Sequence, residues 1–297
     1  MTICTPRVMQ RNIPVCGTVS RVLLLTLLAT AMLSPGRAMS GSRGVPMAAT
    51  ATVRPVMEVQ RFDAPPADFS AARAEDVVRE QKGLPFRFAI PNKVQITPET
   101  MGTWERLDHG MLLWRLRIAS PGALSLNLGF TQYQLPTGAR LCVYSVSDLS
   151  SCLQFDVRDN KEHGKLWTPV VVSDEIVIEL TIPEDLKSTC KLELGSVNAG
   201  YRGFGEVTAD LTFSCLRSVT CPEGIPWRRE IPSVGVFSIE GESGTYMGSG
   251  FLVNNTAQDG RPLFMTANHC LRDESTAELR DLSSVIVYWN YESPTCE

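Results

Sequence analysis

Gly248-Ser249-Gly250-Phe251-Leu252-Val253 and Leu263-Phe264-Met265-Thr266-Ala267-Asn268-His269-Cys270 are two short apolar runs, separated by a polar stretch holding Asn254-Asn255 and Asp259-Gly260. Asp-Gly between apolar runs is a strong hairpin signal, because glycine supplies the positive φ that a tight turn needs. The pair therefore predicts two antiparallel strands, with His269 at the end of the second. His109 and His163 sit in Asp108-His109-Gly110 and Glu162-His163-Gly164, which read as exposed turns.

The same period of two recurs on both sides of this hairpin. Trp114, Leu116 and Ile118 alternate with Arg115 and Arg117. Leu124, Leu126 and Leu128 alternate with Ser125 and Asn127. Ile176, Ile178, Leu180 and Ile182 alternate with Val177, Glu179 and Thr181. Pro121-Gly122 and Pro136-Thr137-Gly138 bound these runs with turn chemistry. Short alternating strands at regular spacing predict an all-β chain. Its first part should be a β-sandwich with one face of each sheet buried and the other wet. Val234–Ile239 and Val285–Trp289 extend the β pattern beyond a boundary placed near Gly203-Phe204-Gly205. Ser70 to Lys82 is the one helical stretch, capped by Ser70 and ended by Gly83.

Composition limits what this fold can do. The formal charge is −4, and residues 1–40 carry four arginines and no acid, so the remainder is at −8. An acidic body with no Lys/Arg run argues against nucleic acid or anionic lipid as a partner. Val22 to Leu33 is a 12-residue apolar core behind Arg11 and Arg21, followed by Ala38-Met39-Ser40. It is too short to span a bilayer, which takes about 20 residues. Residues 1–40 therefore read as a secretory signal peptide, 41–66 as a linker, 67–205 as a β-rich region and 206–297 as a second β-rich region. The mature protein is expected outside the cell or in the periplasm, with no membrane segment after signal cleavage, as a monomer.

Seven cysteines remain after the leader: Cys142, Cys152, Cys190, Cys215, Cys221, Cys270 and Cys296. In an oxidising compartment an odd count leaves at least one thiol without a partner in the chain. Cys142 and Cys152 flank a turn near Ser147-Asp148. They could face each other across it, or remain two separate buried thiols. There is no Cys-x-x-Cys pair and no His-x-x-x-His spacing, so neither a metal site nor a cofactor is expected.

Thr266-Ala267-Asn268-His269-Cys270 resembles the histidine box of trypsin-like peptidases. Ser214-Cys215-Leu216-Arg217-Ser218-Val219-Thr220-Cys221-Pro222-Glu223-Gly224 resembles the mature N-terminus of the bacterial lysyl endopeptidases. Leu252–Ala257 and Ile286–Tyr291 are similar to further blocks of that family. Trp114-Arg115-Leu116-Arg117 and Leu166–Val171 resemble its long pro-region.

The resemblance implies a pro-region at 67–205, followed at 206–297 by the first part of a chymotrypsin-type barrel. It implies hydrolysis of protein or peptide substrates by a Ser-His-Asp triad, with His269 as the base. It places neither of the other members. Asp273 and Asp281 follow His269 without marking themselves as its partner, and Ser275, Ser283, Ser284 and Ser293 lie in no Gly-x-Ser-Gly setting. The chain stops 28 residues after His269, so the reading is of a zymogen truncated before its Asp and Ser and inactive as given. The alternative is a non-enzymatic secreted β-domain acting as a protease pro-region or inhibitor.

The resemblance also implies pairings. Cys221 and Cys296 match one family bridge, and Cys215 matches a cysteine whose partner is not in this chain. The cysteine beside the histidine is bridged in the family to one 22 residues upstream, where this chain has Gly248. Self-release after a lysine is in doubt, because no lysine follows Lys191.

Overall fold

The computed structural model describes residues 42–204, 218–273, 276–292 and 295–296. The expected signal peptide, Cys215, Ser275 and Ser293 lie outside the described residues. The chain is all-β in its architecture, with one α-helix among these residues. Strand β1 is Ser42–Gly44 and β2 is Arg61–Asp63. Helix α1 (Phe69–Gln81) follows, then β3 (Phe86–Ile96), β4 (Thr103–Arg106), β5 (Met111–Ala119) and β6 (Ser125–Gln134). Next come β7 (Arg140–Ser145), β8 (Cys152–Phe155), β9 (Leu166–Trp167), β10 (Glu175–Pro183) and β11 (Lys191–Gly200). The last four are β12 (Val234–Glu240), β13 (Thr245–Val253), β14 (Leu263–Thr266) and β15 (Ile286–Trp289).

Two sheets form. One runs β1-β8-β7-β10-β5-β2, with β4 also on β5. The other runs β15-β12-β13-β3-β11-β6-β9, with β14 on β13. The alternating runs close one core between them. Trp114, Leu116 and Ile118 of β5 and Ile176, Ile178, Leu180 and Ile182 of β10 meet Leu126, Leu128 and Phe130 of β6 and Val197 and Ala199 of β11. Each fully buried aliphatic side chain there contributes about 1.5–3 kcal/mol relative to exposure.

The expectation of a wet outer face fails on the first sheet. Arg115, Arg117, Val177 and Glu179 point away from the sandwich core, yet all are buried. Residues 42–63, which read as a linker, lie over them. β1 pairs with β8, and β2 runs parallel to β5. The Glu179 carboxylate accepts from the N–H groups of Met47 (2.5 Å) and Ala48 (3.3 Å) and from Tyr144 Oη (3.1 Å). Arg115 donates to Arg54 O and Arg117 to Met57 O. Alternating charge in a strand thus marks a second buried surface here, because a strap of chain supplies the hydrogen bonds that water would otherwise give.

Helix α1 also departs from the sequence reading at its start. Asp68, not Ser70, is the N-cap, and its carboxylate accepts from Ser70 N–H (3.1 Å) and Ala71 N–H (2.9 Å). The Ser70 hydroxyl, with help from those backbone bonds, holds the Asp68 carboxyl below its usual range. Gly83 follows the helix at φ +68°, the left-handed position expected of it. Cys142 pairs with Cys152, joining β7 to β8, and Cys221 pairs with Cys296.

Candidate active site

β13 and β14 form the hairpin read from the sequence, with Gly250 opposite Thr266 and Val253 opposite Leu263. Gly260 sits in the connection at φ +71°. β12 pairs with the other edge of β13, and β15 with β12. Phe237, Ile239 and Tyr246 form the core of this module, and Phe264, Cys270, Leu271 and Val287 pack against it.

After Thr266 the chain turns into a 3-10 segment, Asn268–Leu271. Arg280 ties down its backbone, and Arg272 holds the Asn268 side chain. Arg280 Nη1 donates to Cys270 O (3.1 Å), Arg280 N–H to Leu271 O (2.9 Å), and Arg272 Nε to Asn268 Oδ1 (3.1 Å). Cys270 and Leu271 face the core while His269 is exposed. The imidazole therefore stands at a strand end on a fixed backbone, open to solvent. The acids that follow it are engaged elsewhere. Asp281 pairs with Lys165 (2.6 Å) and accepts from Ser283 N–H and Oγ. Asp273 accepts from Thr276 N–H. Ser283 and Ser284 both direct their hydroxyls at Asp281. His109 and His163 are exposed and remote in sequence from this segment. Among the described residues no cluster could hold a metal ion.

Two cysteines are free among the described residues, Cys190 and Cys270. Burial, with a smaller push from Glu99, raises the Cys190 thiol to about 11. Cys270 lies beside the position that the sequence singled out: a Cβ built on Gly248 would stand 3.4 Å from Cys270 Sγ. Gly248→Cys is therefore expected to close a bridge to Cys270 under oxidising conditions, stabilising the chain by about 2–3 kcal/mol. The Phe237 ring, 2.6 Å from that Cβ, must shift and reduces the gain. Thiol titration in denaturant, and melting with and without reductant, measure it. An oxidised form with the cysteine-plus-Cys270 thiols still free, or one less stable than its reduced form, contradicts the geometry.

Sequence reasoning missed the contacts that position this module. β3 pairs with β13: Ala89 lies opposite Thr245, Arg87 opposite Tyr246 and Phe86 opposite Met247. The Phe204 ring packs at a tilt against Phe88 and Tyr288, with ring centroids 4.8 and 4.5 Å apart, and Met247 lies nearby. β3 and β14 thus share one edge of β13, with Gly248 and Ser249 between them. No local pattern marks such a partner, because the pairing joins residues about 160 positions apart.

The fold is all-β, and His269 stands exposed at the end of a strand. The profile described as "Lysyl endopeptidase N-terminal domain" matches residues 61–195, and that described as "Lysyl endopeptidase, C-terminal domain" matches residues 210–297. The chain belongs to the lysyl endopeptidase family. A curated relative named "Lysyl endopeptidase" from Pseudomonas aeruginosa is 26% identical over 256 residues, covering 79% of this chain and 52% of the relative. The chain thus spans about half the length of that curated relative. No solved structure matches it. Among the described residues, no helix is long and apolar enough to cross a membrane.

Proposed function

We propose that the chain carries the pro-region and the histidine-bearing part of a secreted serine endopeptidase zymogen of the lysyl endopeptidase type. The observation that carries this reading is His269, exposed at a strand end inside the segment that the family's C-terminal domain covers. In the reaction His269 takes the proton of the attacking serine and returns it to the leaving amine. A carboxylate orients the ring, and backbone N–H groups bind the oxyanion. The Asp and Ser roles are assigned to no residue of this chain, and protein or peptide substrates follow from the family.

The chain by itself is accordingly expected to show no peptide hydrolysis and no labelling by a fluorophosphonate. Joined in frame to the residues of the Pseudomonas aeruginosa relative that lie beyond the match, it is expected to take up the label. Labelling of the chain alone would place a nucleophile where none is assigned. A fusion that unfolds cooperatively but stays unlabelled would count against the peptidase reading.

A second reading, a non-enzymatic pro-region or inhibitor, draws on β3 lying along β13 next to the histidine segment. It expects the purified chain to inhibit the relative at stoichiometric concentration. Unchanged peptidase rates with the chain in excess would remove it.

A further inference from the structure

The N-terminal sandwich and the histidine-bearing module meet along a polar seam in which lysines come from the sandwich and acids from the module. Lys93 of β3 pairs with Glu240 at the end of β12, and Lys165, just before β9, pairs with Asp281. Glu240 is the buried one, 6% exposed. It also accepts from Asn198 Nδ2 of β11 (3.0 Å), whose Oδ1 accepts from Ser196 Oγ (2.6 Å). The two acids are linked: Glu240 N–H donates to Ser284 Oγ (3.0 Å), which donates to Asp281 O (2.6 Å). A cleft of about 420 Å³ opens along the seam. Its other charged walls are Glu242, Asp273, Glu278 and Arg280, all from the module.

We propose that Glu240 is a proton-operated latch: the sandwich grips the histidine-bearing module more tightly when the Glu240 carboxyl holds a proton. The inference does not depend on His269 being catalytic. Its physical basis is that docking removes Glu240 from water, while the opposing Lys93 ammonium stays largely solvated, with its side chain 62% exposed. A half-solvated lysine is screened and compensates a buried carboxylate poorly.

Burial accordingly pushes the Glu240 carboxyl above the usual glutamate range, against the opposing pull of Lys93, Asn198 and Ser196. A group raised in this way takes up its proton more readily docked than free. Docking is therefore favoured below the ordinary value of 4.5 and loses that advantage as pH rises through the docked value. Asp281 acts in the opposite direction at lower pH. Burial raises its carboxyl, but Lys165 and Ser283 together hold it below the ordinary 3.8, so its contribution fades as pH falls. The grip is strongest in mildly acidic solution and relaxes towards neutral and alkaline pH.

Hydrogen exchange of the Thr245–Val253 segment in the full chain, corrected for the intrinsic pH dependence of exchange, reads the grip from pH 4.5 to 8. Wild-type protection is expected to fall with rising pH, up to about tenfold for each unit by which the docked value exceeds the free one. Glu240→Gln is expected to lose that slope and to keep at pH 8 the protection that the wild type has only in acid. Lys93→Met changes a mostly exposed side chain and should steepen the fall. A flat wild-type profile overturns the proposal, as does a wild-type slope retained in Glu240→Gln. Should Glu240→Gln fail to fold, Lys93→Met decides alone, and an unchanged slope there overturns the latch.

Discussion

His269→Ala, made in the fusion of this chain with the residues of the Pseudomonas aeruginosa relative beyond its match, is expected to lower kcat/KM by about 10⁶-fold. That is the scale measured in subtilisin, where losing the histidine costs nearly as much as losing the whole triad. The size follows from the imidazole's double role. Without it the serine keeps its proton at neutral pH, and the leaving amine has no acid to receive one. Binding of substrate does not need the ring, so the loss falls on kcat and leaves KM largely unchanged. His109→Ala and His163→Ala remove exposed turn histidines and serve as controls expected to keep full activity. A His269→Ala enzyme within tenfold of its parent would remove His269 from the role proposed for it.

Asp76→Ala is expected to destabilise the chain by about 3–5 kcal/mol, the usual penalty for orphaning one half of a buried ion pair. Asp76 on α1 and Arg87 on β3 are both buried, with Arg87 Nε 3.0 Å from Asp76 Oδ1. Tyr201 Oη donates to Asp76 Oδ2 (2.5 Å), and Arg87 Nε also lies 3.0 Å from that Tyr201 oxygen. Burial of the guanidinium works against its charge, and Glu75, Tyr201 and Asp76 together more than restore it, so Arg87 stays charged. Removing the Asp76 carboxylate leaves that charge in place with poorer company. The cluster reaches both parts of the chain, since Arg87 Nη1 donates to Ser243 O (3.3 Å) in the turn between β12 and β13. Glu75 also touches Arg87, at 2.9 Å, but its side chain is 66% exposed. Glu75→Ala is therefore expected to cost less than about 1 kcal/mol. Urea unfolding of the two variants provides the comparison. Equal losses, or a loss below 1 kcal/mol at Asp76, would show that the cluster is not the anchor argued here.

Much of this architecture was legible in the residues themselves. Side chains in a strand alternate with period two, so Trp114-Leu116-Ile118 and Ile176-Ile178-Leu180-Ile182 announce their own buried face. Glycine at 83 and 260 marks positions where other residues would be strained. The histidine segment was legible through its resemblance to a family. Its exposure was not, because whether a ring at a strand end points inward or outward depends on what packs around Cys270 and Leu271.

Other features were beyond local reading. Arg115, Arg117 and Glu179 looked like solvent-facing positions, and only the strap at 42–63 makes them buried. Ser70 and Asp68 are both good caps by residue type, and the choice rests on where the helix axis starts. Glu240 ends an ordinary apolar run, and nothing within ten residues announces Lys93 or Asn198.

The sequence by itself determined the class of secondary structure and the faces that seek a core, because these depend on neighbours two to four positions away, while the histidine segment stood out only through its resemblance to a family. The tertiary structure decided that β3 closes on β13, that a buried acid meets a solvated lysine across the seam, and that His269 stands outward. The first two outcomes are set by contacts between residues more than a hundred positions apart, whose energies exist only once β3 has paired with β13; the third is set by Cys270 and Leu271 packing on Phe237, Ile239 and Tyr246.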